Sequence, residues 1–163
     1  MVKIPIKVLL VDDEKEFTAV LAKRLELRDF DVAVADSGDK ALGLLHEQNF
    51  DIVLLDVLMP GKGGIETLQA IKSINPLIHI IMLTGHARVD TAVEGMELGA
   101  YDYLIKPMET DELVEKMRLA YSHKCSQEER LCRAETTRDR KESVWQKCSA
   151  SLGKIFHKDK PDE

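Results

Sequence analysis

No stretch of 18 consecutive apolar residues occurs in this chain, so none of it has the length and apolarity of a membrane-spanning helix. The opening Met1-Val-Lys-Ile-Pro5 also has no hydrophobic run of the kind a signal peptide carries. Cysteine is scarce: Cys125, Cys132 and Cys148 all fall late in the chain, without Cys-x-x-Cys spacing. That usage excludes a disulfide framework or a clustered zinc site and fits reduced thiols. Together these absences predict a soluble, cytoplasmic protein for which a membrane role is unlooked for. Basic charge is also in deficit where the chain is most apolar. Residues 1–123 carry 13 Lys and Arg against 21 Asp and Glu, a net charge of −8, whereas 124–163 carry 10 against 8, a net +2. A surface that acidic does not grip a nucleic-acid backbone, so no direct nucleic-acid binding is expected of the first part.

What is present is a core. With 163 residues and 44% hydrophobic content the chain can bury one substantial domain with an appendage. Apolar runs recur along it: Lys7–Val11, Asp31–Ala35, Ile52–Leu55, Ile78–Leu83 and Tyr101–Ile105. Continuous runs of this length are the mark of strands buried on both faces. Between them apolar residues return at helical spacing, as in Phe17, Val20, Leu21 and Leu25, or Val89, Ala92, Val93 and Met96. Ser37 is placed to cap the second helix, Asn75-Pro76 breaks the third, and Gly99 closes the fourth. Five strand–helix units with short connections predict a parallel sheet with helices on both faces. All five strand ends then lie on one rim.

That rim collects unusual residues. Asp12-Asp13 follow the first strand, Asp56 the third, Thr84 the fourth and Lys106 the fifth. Taken singly each has a plain explanation: an acid at a helix start, a cap, a solvated loop lysine. Taken together they pose an electrostatic problem, because three neighbouring carboxylates must share protons or hold a cation. All-oxygen ligation suits Mg²⁺, which carboxylates and phosphate oxygens commonly hold. A flavin phosphate is the other ligand this architecture takes, but the first loop reads Asp12-Asp13-Glu14-Lys15-Glu16 and repels a bare phosphate. With a divalent cation present, one carboxylate can act as a nucleophile toward a phosphoryl group, with Lys106 and Thr84 available to its oxygens.

The acidic pair, the segment Leu54-Leu55-Asp56-Val57-Leu58-Met59-Pro60, Leu83-Thr84-Gly85, and Gly99-Ala-Tyr-Asp-Tyr103-Leu-Ile-Lys106-Pro107 resemble the receiver domain of two-component response regulators, of the chemotaxis-regulator type. The resemblance runs over about residues 5–122. It implies a flavodoxin-like five-stranded sheet in the order 2-1-3-4-5. It also implies that Asp56 accepts a phosphoryl group from a sensor histidine kinase or phosphotransfer protein. Mg²⁺ would be held by Asp12, Asp13, Asp56 and the backbone carbonyl of Leu58. Thr84 and Lys106 would bind phosphoryl oxygens, and Thr84 with Tyr103 would switch the face made by the fourth helix, fifth strand and fifth helix for a downstream protein or a second copy. Leu58 and His86 flank the path of a hydrolysing water and would tune the lifetime of the phosphoryl state. His46, His79, His123 and His157 show no ligand spacing and are expected to be structural or solvated.

The domain is expected to occupy residues 1–123, leaving 124–163 as a charged, partly helical tail. A heptad phase runs through Leu113, Met117, Ala120, Leu131, Ala134, Trp145, Cys148, Leu152 and Ile155, but residues 135–143 hold no apolar side chain. The expectation is therefore a helical extension, a polar hinge, and an amphipathic segment around Trp145–Phe156. The function expected is a phosphorylation-switched binding module rather than an enzyme. Two alternatives stand beside it: the receiver part of a truncated DNA-binding regulator, and an aspartyl-phosphate hydrolase of the haloacid-dehalogenase type. The latter needs a second acid where Leu58 stands.

Overall fold

The computed structural model describes residues 4–85 and 89–155, with 139–155 described by backbone alone. The five apolar runs form strands β1 (Ile6–Val11), β2 (Phe30–Ala35), β3 (Ile52–Asp56), β4 (His79–Thr84) and β5 (Asp102–Ile105). They alternate with helices α1 (Lys15–Glu26), α2 (Gly38–Glu47), α3 (Gly64–Ile74), α4 (Val89–Glu97) and α5 (Thr110–Ile155). All strand pairs are parallel and the order is β2-β1-β3-β4-β5, the doubly wound arrangement.

Side-chain alternation along the strands builds a core on each face. Leu9, Val11, Val53, Leu55, Ile80 and Met82 pack with Ala41 of α2 and with Leu68 and Ile71 of α3. Val8, Leu10, Ile52, Leu54, Ile81 and Leu83 pack with Leu21 and Leu25 of α1 and with Leu113 and Met117 of α5. Each such fully buried aliphatic side chain contributes on the order of 1.5–3 kcal/mol. With both faces covered, the central strands have no polar side to offer solvent, which is why they read as unbroken apolar runs.

The helix boundaries follow local chemistry. The Ser37 hydroxyl accepts from the Lys40 backbone N–H at 3.3 Å and caps α2. Asn75, ahead of Pro76, ends α3. Gly99 takes φ +100 beyond α4, a conformation L side chains rarely adopt. One finding is new and one expectation needs correction. The apolar positions of α4 form the expected helix, and Val89, Val93 and Met96, at 75%, 50% and 47% exposure, face outward rather than into the core. Gly95 supplies the inward contact instead; a Cβ there would strike the Met82 sulfur. The polar stretch 135–143 is not a break, because α5 continues through it to Ile155. Its Glu, Arg and Lys residues are good helix formers, and no Gly or Pro interrupts them. Side chains 126–138 of that helix are all exposed apart from the half-buried Gln127. Trp145, Leu152 and Ile155 lie on the part described by backbone alone, and Phe156 lies outside the described residues. The chain divides into two compact units, Met1–Cys125 and Ser126–Glu163.

Candidate functional site

Register brings the acids together. Val11 pairs with Leu55, so the residues one step beyond, Asp12 and Asp56, leave adjacent strands at the same level. Asp56 in turn stands opposite Leu83, and Thr84 opposite Ile105, which sets Lys106 one strand further on. Three short backbone bonds fix these ends: Asp12 N–H to the Ala35 carbonyl at 3.1 Å, Val57 N–H to Leu83 at 3.0 Å, and Lys106 N–H to Thr84 at 2.6 Å. Carboxylate oxygens of Asp12, Asp13 and Asp56 all lie within 4.8 Å of one another. Asp12, Asp56 and Thr84 are buried, at 1%, 4% and 1% exposure, and Asp13 is the most open of the three acids.

Lys106 enters this acidic pocket from the side. Its Nζ donates to Asp12 Oδ2 at 2.5 Å, and it lies 3.4 Å from Glu14 Oε1 and 3.9 Å from Asp56 Oδ1. The ammonium also sits 4.2 Å from the centre of the Phe17 ring, whose negative face favours a cation. One lysine cannot neutralise four acids. Burial, and after it the charge of Asp12, push the Asp56 carboxyl up to about 6, against the opposing pull of Lys106 and of the Leu58 backbone N–H. For Lys106 burial acts downward, but the hydrogen bond and charge of Asp12, with Asp56 and Glu14, outweigh it and raise its pKa.

The surrounding scaffold is tightly fitted. Gly64 opens α3 directly against the end of β3, where a Cβ would meet the Asp56 carbonyl oxygen and come within 2.6 Å of Val57 Cα. Any side chain there would push the Asp56 strand end out of position. Tyr103 packs against the core on the α3 side, and its buried hydroxyl has no hydrogen-bond partner among the described residues. Leu58 is 54% exposed, beside the pocket, and His86 lies outside the described residues.

The comparisons agree on one family. Residues 8–118 match the response regulator receiver domain. The chain belongs to that family. Among curated relatives, the transcriptional regulatory protein CpxR of Escherichia coli is 45% identical over 125 residues, which is 76% of this chain and 53% of that protein. The transcriptional regulatory protein ZraR of Salmonella typhimurium is 42% identical over 123 residues, 76% of this chain and 28% of ZraR. The chain thus spans between about a quarter and about half of these relatives' lengths. Among solved structures, a CheY-like receiver domain protein from Methanospirillum hungatei superposes with a TM-score of 0.73 at 25% identity, covering 76% of this chain and 98% of that one. A response regulator from Burkholderia pseudomallei, described with a phosphorylated aspartic acid, calcium ion and citrate, matches at TM-score 0.67 and 28% identity over 76% of this chain and 72% of its own. The receiver is a signalling domain of two-component systems, not a member of an enzyme family, and its acidic pocket is the kind in which receivers hold a metal ion.

The structure brings together all the expected rim residues that it describes: Asp12, Asp13, Asp56, Thr84 and Lys106. Two neighbours escaped the sequence reading. Phe17 looked like an ordinary core position of α1, and Glu14 like one more acid in a loop. Their position on the first loop and first turn, next to the acid pair, was the only signal.

Proposed function

We propose that this receiver accepts a phosphoryl group on Asp56 from the phosphohistidine of a sensor histidine kinase or phosphotransfer protein. An Asp56 carboxylate oxygen would attack phosphorus as the nitrogen–phosphorus bond breaks; with the donor's other ring nitrogen protonated, the bond electrons leave a neutral imidazole there, and Asp56 carries an acyl phosphate. The observation that carries this reading is the convergence of three carboxylates at the ends of two adjacent strands with a single lysine in reach of two of them. The donor set is all oxygen, in excess of local positive charge, and it fits Mg²⁺. Asp12, Asp13, Asp56 and the Leu58 backbone carbonyl would hold that ion. When bound, it supplies positive charge that offsets the acids and the incoming phosphoryl oxygens.

The chain's own groups do the rest. Lys106, already 3.9 Å from Asp56, would exchange its bond to Asp12 for one to a phosphoryl oxygen. The buried Thr84 hydroxyl, at the end of β4, would donate to another. Movement of Thr84 gives Tyr103 room to change position, and the Tyr103 hydroxyl, without a hydrogen-bond partner among the described residues, gives the two positions different energies. The face affected is formed by α4, β5 and α5, where Val89, Val93, Met96 and Ile105 are exposed. A groove of about 530 Å³ on it is lined by Tyr103, Ile105, Pro107 and Lys116, among others. This is the surface for a downstream protein or for a second copy of the chain. Leu58 and His86 would set how quickly water removes the phosphoryl group. The cytoplasm is the compartment proposed, supported by the family; among the described residues no helix is long and apolar enough to cross a membrane.

Acetyl phosphate with Mg²⁺ tests the chemistry: intact mass should rise by one phosphoryl group, and beryllium fluoride should perturb the Tyr103 face in the same way. An Asp56→Asn protein that responds equally refutes the assignment. A second reading, supported by the longer CpxR and ZraR relatives, keeps this receiver but makes it the input part of a DNA-binding regulator. Sequencing the surrounding gene decides between them.

A further inference from the structure

The amino-terminal rim of the sheet holds a pair that sequence spacing conceals. His79 opens β4 and is 5% exposed, while His123 stands on α5 at the surface. They are 44 residues apart in sequence, yet His79 Nε2 and His123 Nδ1 approach to 3.3 Å. His79 Nδ1 is 3.0 Å from the Leu77 carbonyl oxygen. A carbonyl can only accept, so Nδ1 carries the proton and donates it there. The Nε2 lone pair is thereby left toward His123, whose Nδ1–H donates to it in the metal-free pair.

The spacing and the orientation both match a metal chelate. Two imidazole nitrogens bound at about 2.0–2.1 Å to one tetrahedral ion lie about 3.3 Å apart. A ligating histidine is usually fixed by a hydrogen bond from its other ring nitrogen to a carbonyl or carboxylate, which is the arrangement at Leu77. His123 needs only to move its proton from Nδ1 to Nε2, on an exposed side chain, to present a second lone pair. We propose that His79 and His123 form a site for a borderline divalent transition-metal ion of the zinc or copper class, separate from the carboxylate pocket. Imidazole nitrogen strongly favours such ions over Mg²⁺, whereas oxygen-only ligation is where abundant Mg²⁺ competes best, so the histidine pair is the more selective of the two ends for these metals.

The ionisable groups around the pair permit it. Lys124 of α5 is bound to Asp51 at 2.7 Å, and Lys72 of α3 donates to the Pro76 and Ile78 carbonyls at 3.2 and 2.7 Å. The Tyr101 ring packs against both imidazoles, with centroids 4.9 Å from His79 and 5.9 Å from His123. Burial first, then the charges of Lys72, His123 and Lys124, keep the His79 pKa below its ordinary value despite the Leu77 bond, so the ring is neutral at pH 7. Two protein ligands with water in the remaining positions make a modest site. Its consequence is structural: a bound ion ties α5 to β4 just before Cys125, where the compact receiver unit ends.

The test is Cu²⁺ electron paramagnetic resonance and Zn²⁺ calorimetry on the full chain. The copper spectrum should show two imidazole nitrogens coupled to one class of bound ion, beside any ion held by the carboxylate pocket. The exposed-site variant His123→Ala should weaken binding by about tenfold or more. Asp56→Asn should keep the two-nitrogen copper spectrum, which the carboxylate pocket does not produce. An unchanged two-nitrogen spectrum in His123→Ala, its loss in Asp56→Asn, or a spectrum showing thiolate coordination each overturns the proposal.

Discussion

Each rim of the sheet buries a lysine against an aspartate, and the two pairs are close in geometry. Lys106 meets Asp12 at 2.5 Å and Lys124 meets Asp51 at 2.7 Å; both lysine side chains are 10% exposed. Their surroundings differ in sign. At the carboxyl rim Asp13, Glu14 and Asp56 add acid that Lys106 cannot balance. At the amino rim the neighbours are two imidazoles and Lys72. A matched pair closes a surface, whereas a pair crowded by extra carboxylates leaves charge that only a cation or a proton can relieve. Removing the acid from each rim should therefore have opposite results.

The largest difference concerns chemistry. Asp56→Asn should lose all phosphoryl incorporation from acetyl phosphate with Mg²⁺, while Asp51→Asn keeps it at the wild-type level. Intact mass spectrometry reads both; a phosphorylated Asn variant breaks the contrast between the rims. Stability comes next. Without metal at pH 7.5, Asp56→Asn should stabilise the protein by about 1–3 kcal/mol, because its carboxyl is held about two pH units above its ordinary value. Asp51→Ala should destabilise by about 2–4 kcal/mol, since it removes the carboxylate paired with the buried Lys124 and the acceptor of the Lys7 N–H. Urea melts of both variants give the signs, and equal signs would contradict the comparison.

The pH dependence sharpens it. A carboxyl whose folded-state pKa is raised favours the folded state while protonated, fully so below about pH 4. That advantage drains away as pH rises through about 6. In chelator the wild type should lose stability between about pH 4 and 6.5, and Asp56→Asn should lack that part of the slope. Saturating Mg²⁺ should flatten it as well. A wild-type slope that Mg²⁺ leaves untouched means the acids are not what the cation relieves.

How much of this was legible beforehand depends on whether the information is local. The strands were, because a strand covered on both faces must be apolar throughout, and each acid or lysine after such a run marks a strand end. Asp12, Asp56, Thr84 and Lys106 were placed by that rule alone, with the family resemblance supplying strand order. The outward stripe of α4 was not legible: period shows that Val89, Val93 and Met96 share a face but not which way it points, and only the tight fit of Gly95 on Met82 settles it. The His79 and His123 pair was missed because contacts over 44 residues leave no spacing to read. Lys124 was assigned to the tail, yet its partner Asp51 is 73 residues earlier. The helix across 135–143 was underestimated because an apolar stripe was demanded of a segment that helix propensity alone can carry.

The smallest effect expected is that of the tail. Lys124 is 8% exposed and paired, so a boundary at residue 123 would cut away part of the amino rim. After Cys125 nearly every described side chain through Arg138 is exposed, so this stretch removes little apolar surface from water. Ending the chain after Cys125 should change unfolding free energy by less than about 0.5 kcal/mol, the range of substitutions that touch no buried group, and leave phosphoryl uptake unchanged. Ending it after His123 should cost about 1–3 kcal/mol more, because the half-buried Asp51 carboxylate then loses its charged partner Lys124. If both truncations melt alike, the ion pair does not close the amino rim, and the two ends of the sheet do not differ in the way their charges indicate.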